Sequence, residues 1–212
     1  MINFHNVDCL EFMKGLPDKA FDLAICDPPY KDDVSGLSQG HNRSSFTYAH
    51  FSPPTSEYIA ELFRVSANQI LWGFNYYMNL LPSTDACIFW NKHQNGGFAE
   101  GELAWSSVGK TRYFDRAYQI DIGNKIHPTQ KPVALYRWLL QNYAKPGWKI
   151  LDTHGGSFSH AIACDIEGFD LDICELDPDY FAAGKKRFEN HLLQPRMFDA
   201  EPTPQPKQLT IE

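Results

Sequence analysis

Residues 148–175 read WKILDTHGGSFSHAIACDIEGFDLDICE, and this stretch alone indicates a fold class. The apolar run at 148–152 predicts a strand, a glycine-containing turn follows it, and residues 157–167 have a helical pattern. A second apolar run at 169–175 predicts another strand, which ends on Glu175. A strand, a crossover helix and a second strand in this order form a parallel pair, so the stretch predicts an α/β fold.

The same alternation of apolar runs and amphipathic stretches continues through the rest of the chain. Further strands are predicted at 2–4, 21–26, 69–74, 86–90 and 102–107, and further helices at 8–16, 56–68, 131–144 and 178–192. We therefore expect residues 1–193 to form one domain, a mainly parallel sheet with helices on both faces. Residues 194–212 contain four prolines and no apolar periodicity, which predicts a flexible tail.

The composition of the chain excludes several protein classes. It is 43% hydrophobic and 21% charged, which is typical of a soluble globular protein. No apolar run approaches the roughly 20 residues of a membrane helix, and the N-terminus lacks the pattern of a secretion peptide, so we expect a cytoplasmic protein. Five scattered cysteines without a C-x-x-C pair argue against both a zinc site and a disulfide framework.

The charge of the chain is unevenly distributed. The net charge is -7, but residues 91–150 contain nine basic and four acidic residues, whereas residues 151–212 contain five basic and twelve acidic ones. This asymmetry fits a basic surface that faces nucleic acid on an otherwise acidic protein. An unevenly charged solvated surface explains it equally well, so charge alone does not decide between the two.

The motif Asp27-Pro28-Pro29-Tyr30 directly follows the predicted strand at 21–26. An exocyclic amine of a nucleic-acid base, such as N6 of adenine, is a poor nucleophile because its lone pair is delocalised into the ring. A carboxylate and a backbone carbonyl that accept its two N–H bonds would draw the nitrogen toward tetrahedral geometry, and Asp27 and the Pro28 carbonyl can do this. Two prolines stiffen the turn, and Tyr30 can stack on a flipped base. The alternative is a surface turn followed by an aromatic residue.

The turn at 152–157 has the features of a nucleotide-binding loop. Gly155 and Gly156 would let a ligand approach the backbone at the start of a helix. Glu175 follows Gly156 by 19 residues at the end of the next strand, where a carboxylate can bind ribose hydroxyls. The turn lacks the full G-x-G-x-x-G pattern, so a tight turn beside a surface acid stays open as an alternative.

Four segments together resemble the circularly permuted DNA amino-methyltransferases, also called the beta group. They are DCLEFMKGLPDKAFDLAICDPPY at 8–30, HPTQKP at 127–132, ILDTHGGS at 150–157 and CELDPDYF at 174–181. HPTQKP by itself indicates only a helix start. The segments nevertheless occur in the order of that family, with the catalytic motif first and the cofactor loop last. The resemblance covers residues 1–192.

The resemblance implies a Rossmann-like methyltransferase with a permuted motif order that transfers a methyl group from S-adenosylmethionine to N6 of a flipped-out adenine in DNA, as restriction–modification or phage enzymes do. The residues implied to bind and activate the base are Asp27, Pro28, Pro29 and Tyr30. The residues implied to bind the cofactor are Asp8, Lys131, Asp152, His154, Gly155, Gly156, Ser157 and Glu175. No metal is implied.

The cofactor turn departs from the D-P-F-x-G-S-G pattern of the family. Thr153 and His154 replace the Pro-Phe pair, and Phe158 stands where the last glycine would be. Two alternatives therefore stay open: methylation of cytosine N4, although that subgroup more often has Ser in place of Asp27, and an inactive methyltransferase fold that serves as a DNA-binding module.

Contacts with double-stranded DNA are expected from two loops, at 31–55 and 91–125, because the chain leaves no room for a separate recognition domain. Three basic residues in the second loop are interleaved with aromatic residues and are expected to contact DNA, namely Lys110, Arg112 and Arg116. The peptide Gln208-Leu209-Thr210-Ile211 resembles short peptides that dock on bacterial sliding clamps. A homodimer is a further expectation.

Overall fold

The computed structural model of the protein describes residues 1–30, 53–94, 99–117 and 125–194. Most of the expected DNA loop at 31–55, the predicted flexible tail after residue 194 and the clamp-like peptide at 208–211 lie outside the described residues. The eight strands of the described part are β1 Ile2–His5, β2 Phe21–Cys26, β3 Ser66–Trp72, β4 Ala86–Asn91, β5 Gly101–Ser106, β6 Arg112–Asp115, β7 Lys149–Asp152 and β8 Asp170–Cys174. The five α-helices there are α1 Cys9–Lys14, α2 Ser56–Val65, α3 Val133–Tyr143, α4 Ser159–Glu167 and α5 Pro178–Leu192.

All eight strands form one sheet in the order β1-β8-β7-β2-β3-β5-β4-β6. The neighbours from β1 to β3 are parallel, β5 is antiparallel to both β3 and β4, and β6 is parallel to β4. The expected α/β fold with a mainly parallel sheet is therefore confirmed. β2 and β7 lie side by side at the centre, and the chain leaves this pair toward β3 on one side and toward β8 on the other.

Helices cover both faces of the sheet, and β2 is accordingly apolar along nearly its whole length. Leu23 and Ile25 point into the core cluster that also contains Leu139 of α3. Ala24 and Cys26, at the alternate positions, belong to the opposite cluster with Leu62 of α2. None of the helices in the described part of the chain has the length and hydropathy needed to span a bilayer.

Several element boundaries differ from the sequence-based predictions, each for a local reason. The helix predicted at 56–68 ends at Val65, because Ser66 takes an extended backbone (φ -122°, ψ 143°) and begins β3. β3 ends at Trp72, since Gly73 adopts a left-handed conformation (φ 71°). The helix predicted at 131–144 begins at Val133 instead, because a proline at 132 disfavours helical geometry for the residue before it.

The expected DNA loop at 91–125 contains, besides the predicted strand at 102–107, a second strand that was expected to be loop. Residues 112–115 form β6 at the edge of the sheet, and Ile88 of β4 lies opposite Arg112 while Asn91 lies opposite Asp115. The loop prediction was wrong for these residues because β4 was already partnered by β5 on one edge and offered its other edge for pairing. A short strand with three exposed residues has no clear apolar alternation to reveal it.

Candidate active site

The residues predicted for catalysis and for cofactor binding lie near the carboxyl ends of the parallel strands. β2 and β7 are parallel neighbours, with Ala24 opposite Leu151, so Asp27 follows one strand directly beside Asp152 at the end of the other. From β2 the sheet continues to β3 on one side, and from β7 it continues to β8 on the other side, so the direction in which successive strands are added reverses between β2 and β7. In open α/β sheets, such a position forms a crevice at the carboxyl ends of the strands, where ligands bind.

The two carboxylate oxygens of Asp27 have different partners. The Tyr30 hydroxyl donates to Oδ1 at 2.5 Å, and the Lys131 ammonium donates to Oδ2, also at 2.5 Å. The side chain of Asp27 is 12% exposed. Burial raises the pKa of Asp27, and the positive charge of Lys131 opposes that change. Pro28, the next residue, is buried. The structure therefore holds this carboxylate in one orientation.

Lys131, which the resemblance implied to bind the cofactor, lies beside Asp27. Its side chain is 4% exposed, and besides Asp27 its ammonium contacts Glu102 Oε2 at 2.8 Å. Lys92 in turn binds Glu102 Oε1 at 3.0 Å. Pro132 is the N-cap of α3 and has an extended backbone (φ -65°, ψ 141°), so Lys131 precedes the helix and reaches side chains of β5 and of the turn after β2.

The ring of Tyr30 fits against a glycine and a second tyrosine. It stacks on Tyr76 with ring centroids 5.3 Å apart and an interplanar angle of 11°. A Cβ atom on Gly73 would lie 2.0 Å from Cε1 of Tyr30, so only glycine leaves room for the ring in this position. Burial, with the nearby charge of Asp27, raises the pKa of Tyr30 well above its ordinary value, so its hydroxyl stays protonated and donates.

The turn at 152–157 is fixed to the end of β8 by backbone hydrogen bonds. The Gly155 N–H donates to the Cys174 carbonyl at 2.7 Å, and the Gly156 N–H donates to Glu175 Oε2 at 2.7 Å. Glu175 Oε1 accepts from the backbone N–H of Asp177 at 2.9 Å. Burial raises the pKa of Glu175. Each oxygen uses one bond in this way, which leaves acceptor capacity on a half-buried carboxylate at the mouth of the crevice.

Three other predicted cofactor residues hold the local structure together. Asp152 is 1% exposed, and its oxygens accept from the His154 backbone N–H and contact Nδ1 of His160, both at 3.0 Å. Ser157 is buried, and its hydroxyl contacts that of Ser159 at 3.1 Å. The structure thus places Asp152 and Ser157 inside the turn, and their binding of a cofactor stays a prediction.

Two further predicted cofactor residues are Asp8, at the start of α1, and His154, within the turn. Asp8 is exposed and caps α1 by accepting from the Leu10 and Glu11 backbone N–H groups. The imidazole of His154 contacts the Thr153 hydroxyl at 2.9 Å, and burial lowers its pKa to about 4. His154 is therefore neutral at physiological pH.

Phe158 compensates for the missing last glycine of the turn. It adopts a left-handed backbone (φ 55°), which is a conformation that glycine would take at no cost, and its ring is fully buried. A Cβ atom on Gly184 of α5 would lie 2.9 Å from Cγ of Phe158, so the space for the ring comes from a glycine inside the neighbouring helix. The left-handed residue also explains why α4 begins at Ser159 and not at 157.

The segment at 127–132 connects the two halves of the site. His127 packs edge-on against Tyr180 of α5, with ring centroids 4.4 Å apart, and a Cβ atom on Gly156 would lie 3.5 Å from its ring. Burial lowers the pKa of His127 to about 3. Further along the segment, Lys131 reaches Asp27. The HPTQKP segment thus contacts the cofactor turn at one end and the catalytic motif at the other.

The three basic residues expected at DNA do not form one cluster. Since β4 and β6 run in the same direction as β2, the C-terminal end of β6 lies at the edge of the sheet that carries Asp27. Arg116 follows that end, whereas Lys110 precedes β6 at the opposite edge. Arg112 lies between them, with its guanidinium over the Tyr143 ring at 5.9 Å.

The sequence analysis did not identify Glu102, Lys92 or Tyr76. Glu102 is an acid inside GELAWS, a strand whose later residues are buried, and an acid in such a strand was a usable signal. Tyr76 lies in a short 3₁₀ turn that has no periodicity, so its position beside Tyr30 depends on the fold alone.

Comparisons with known proteins agree with this geometry. Residues 91–186 match the DNA methylase family of N6 and N4 methyltransferases. The chain is 26% identical, over 217 residues, to the putative methylase YubD of Escherichia coli (strain K12), and the match covers 88% of this chain and 90% of the relative. The chain is thus similar in sequence to DNA methylases. The resemblance to S-adenosylmethionine-dependent DNA methyltransferases is thereby confirmed, while the circular permutation stays a prediction.

Solved structures of DNA methylases have the same fold. The M1.HpyAVI–SAM complex is 18% identical with a TM-score of 0.62, and the match covers 89% of this chain and 99% of the other. TTHA0409, a putative DNA modification methylase from Thermus thermophilus, is 18% identical with a TM-score of 0.62, covering 91% and 96%. The cytosine-N4-specific PvuII DNA methyltransferase is 13% identical with a TM-score of 0.62, covering 88% and 86%. At these identities the likeness establishes the Rossmann-like methyltransferase fold.

Proposed function

We propose that this protein transfers a methyl group from S-adenosylmethionine to N6 of an adenine flipped out of double-stranded DNA. One observation carries the proposal. Asp27, at the carboxyl end of β2, has one oxygen fixed by Lys131, and within the described residues the other oxygen accepts from the Tyr30 hydroxyl; Asp27 also adjoins the glycine turn that follows β7. A carboxylate in this position is suited to accept an N–H bond from an amine presented beside a nucleoside cofactor.

The residues beside the glycine turn fit S-adenosylmethionine. Glu175 keeps acceptor capacity for ribose hydroxyls, and the carboxylates of Asp8, Asp27 and Glu175 make this edge of the sheet favourable for a sulfonium cation. The cofactor supplies an electrophilic methyl group when it is bound. The N–H groups of Gly155 and Gly156 fix the turn to the end of β8, and Asp152, His154 and Ser157 fix its shape.

The DPPY motif acts on the target base. The base enters with its exocyclic amine toward Asp27 Oδ1 and takes the place of the Tyr30 hydroxyl, while the Pro28 carbonyl accepts the second N–H. The interaction with Asp27 strengthens as the nitrogen becomes positively charged, so it stabilises the transition state more than the bound substrate. The Tyr30 ring stacks on the base, and Pro29 with Pro28 keeps the turn rigid. No metal takes part in this scheme.

Adenine is preferred over cytosine as the target because Asp27 stands where the cytosine-N4 subgroup more often has Ser. The amine chemistry is the same for both bases, and a structural neighbour is named as cytosine-N4-specific. Methylation of cytosine N4 is therefore the second candidate.

The proposal is tested by incubating double-stranded DNA with the purified protein and tritiated S-adenosylmethionine, followed by digestion and mass spectrometry of the nucleosides. We expect N6-methyladenine. N4-methylcytosine would transfer the assignment to the second candidate. If the DNA is unlabelled although calorimetry detects S-adenosylmethionine binding, the enzymatic assignment fails, and absence of both activity and cofactor binding would favour an inactive DNA-binding module.

A further inference from the structure

We propose that Glu102 of β5 is a positioning residue for methyl transfer, which acts on Asp27 through the ammonium group of Lys131. The inference rests on the proposed function, because it concerns the carboxylate that receives the target amine. Glu102 lies on a different element from the sequence motifs of the site, and no motif of the sequence points to it.

Four side chains form a continuous row of alternating negative and positive charges, namely Asp27, Lys131, Glu102 and Lys92. Asp27 Oδ2 contacts the Lys131 ammonium at 2.5 Å, that ammonium contacts Glu102 Oε2 at 2.8 Å, and Glu102 Oε1 contacts the Lys92 ammonium at 3.0 Å. The exposed fractions of the four side chains are low, from 4% for Lys131 to 21% for Glu102. Two carboxylates and two ammonium groups leave the row without net charge.

This neutrality matters because an unpaired buried charge is costly. Two aromatic rings lie near the ammonium of Lys131, which is 5.6 Å from the centroid of the Tyr30 ring and 5.4 Å from that of the Trp72 ring. Its two carboxylate partners therefore determine where the ammonium lies. With Glu102 on one side, Lys131 donates to Oδ2 of Asp27 and, at 3.2 Å, to the Tyr30 hydroxyl, which itself donates to Oδ1. The target amine can thus approach Oδ1 without displacing the ammonium.

Glu102 and Lys131 change the pKa of Asp27 in opposite directions. The positive charge of Lys131 lowers the pKa of Asp27, and the negative charge of Glu102 raises it. Lys131 and Lys92 in turn hold the pKa of Glu102 at about 2, so Glu102 stays ionised. The remaining titratable groups around Asp27 are Tyr30, Tyr77, Tyr136, Cys26 and Asp152.

The tyrosines and the cysteine in that set do not titrate near neutral pH. Burial raises the pKa of Cys26 to about 12 and raises the pKa of Tyr30, Tyr77 and Tyr136 above the ordinary value of a tyrosine. An acid limb in the pH–rate profile of methylation is therefore assigned to a carboxylate, and shifts of this limb on changing Lys131 and Glu102, the two charges that act on Asp27, identify it as Asp27, which must be ionised to accept the amine. Removing the charge of Glu102 or of Lys131 should move the acid limb, and the sign of the removed charge determines the direction.

The experiment measures single-turnover methylation of DNA against pH for the wild type, Glu102→Gln and Lys131→Gln. Without the cation, the pKa of Asp27 rises, and the acid limb of Lys131→Gln should move about one pH unit or more to higher pH. Without the second anion, the pKa of Asp27 falls, and the limb of Glu102→Gln should move to lower pH. On the acid limb, one unit corresponds to about a tenfold change in rate relative to the plateau.

Three controls separate positioning from folding. Glu102→Asp retains the charge and should keep the acid limb of the wild type, even if its shorter side chain lowers the plateau rate. Lys149→Gln removes a lysine that pairs with Asp172 at 2.9 Å, at the far end of β7, and should change neither the limb nor the plateau. S-adenosylmethionine affinity should stay within about twofold of the wild type in all variants, measured by calorimetry.

The outcomes distinguish the inference from the proposed function. A wild type that does not methylate DNA overturns the proposed function and the inference with it. If the wild type methylates DNA, acid limbs of Glu102→Gln and Lys131→Gln that move in opposite directions support the inference. Limbs that coincide with the wild type, or that move the same way in both variants, overturn the inference alone. If Glu102→Gln does not fold, Glu102→Asp decides: an unchanged limb with a lowered plateau supports the inference, and a fully wild-type profile overturns it.

Discussion

In the proposed mechanism, the hydroxyl of Tyr30 occupies the oxygen of Asp27 that accepts the target amine. Since Lys131 holds the other oxygen, a base can reach the carboxylate only after the hydroxyl has left Oδ1. The contact keeps Asp27 satisfied before the base arrives, and it opposes binding of the base. The ring and the hydroxyl of Tyr30 therefore have separable effects on methylation.

Substitution of Tyr30 separates these effects. Tyr30→Phe keeps the ring against Gly73 and Tyr76 and removes the competing hydroxyl, so its single-turnover rate should at least equal that of the wild type. Tyr30→Ala loses base stacking worth about 1–3 kcal/mol and should be slower accordingly. Rapid-quench methylation at saturating cofactor compares the three proteins. If the Phe variant were as slow as the Ala variant, the hydroxyl would be required and not competitive.

At the scale of single residues, the sequence predicted which residues belong to the candidate site better than it predicted which side chains they contact. The motif order and the position of Asp27 after an apolar strand were sufficient to locate the reactive edge. Lys131 could not be assigned to Asp27, since the two are separated by 104 positions and only the register of β2, β5 and β7 brings them together. Glu102 was also missed, although an acid in a strand whose later residues are buried was a usable signal.

At the scale of elements, the turn after β7 depends on the helix that packs behind it. Phe158 replaces the usual glycine, and its ring fits only because position 184 in α5 has no Cβ. Arg187, one turn further along α5, donates to the Ser157 carbonyl at 2.7 Å. The cofactor turn and α5 thus form one packing unit.

Gly184→Ala should reverse the usual effect of helix propensity. In an ordinary helix interior this change stabilises by about 1 kcal/mol, but here the new Cβ would lie 2.9 Å from Cγ of Phe158 and 3.1 Å from the Gly156 carbonyl oxygen. We expect a loss of about 1–3 kcal/mol in the free energy of unfolding, together with weaker S-adenosylmethionine binding. Chemical denaturation and calorimetry measure the two effects.

Ala182→Gly, at an exposed position of the same helix, is the matched control. It should lose about 1 kcal/mol through propensity alone and bind the cofactor normally. A Gly184→Ala variant more stable than the wild type would mean that the turn and α5 are not coupled in this way.

Element boundaries were the part of the fold that sequence patterns predicted least well. The bounds of the central strand β2 and of α5 agree with the predictions at 21–26 and 178–192, because the apolar residues of both segments follow the period of their element. β6 was missed, since its pairing with β4 comes from the open edge of another strand and not from its own residues. The start of α4 was misplaced because no local rule predicts a left-handed phenylalanine.

At the scale of the whole molecule, the sheet separates the basic residues that the sequence had grouped. Arg116 lies at the edge that carries Asp27, and Lys110 lies at the opposite edge. A duplex that presents a base to Asp27 can pass close to the first and not to the second. The two residues therefore make a matched pair for a test of the DNA-binding surface.

Arg116→Gln should weaken DNA binding and reduce the slope of log affinity against log salt by roughly one phosphate contact. Lys110→Gln should leave the affinity and the slope close to those of the wild type. Fluorescence anisotropy across a salt series, with cofactor affinity measured in parallel, gives both quantities. Equal effects of the two changes would place DNA on a different surface, and a loss of cofactor binding by Arg116→Gln would indicate a structural part for that residue.

The central claim, that Asp27 receives the target amine beside a cofactor bound through Glu175, is tested most directly by single-turnover methylation and cofactor titration of two variants. Asp27→Asn keeps the shape but removes the charge, so its rate should fall by about 100-fold or more, equivalent to roughly 3 kcal/mol, while S-adenosylmethionine binding is largely kept. Glu175→Ala should lose cofactor affinity first. Near-normal turnover by Asp27→Asn would contradict the account and remove Asp27 from the mechanism.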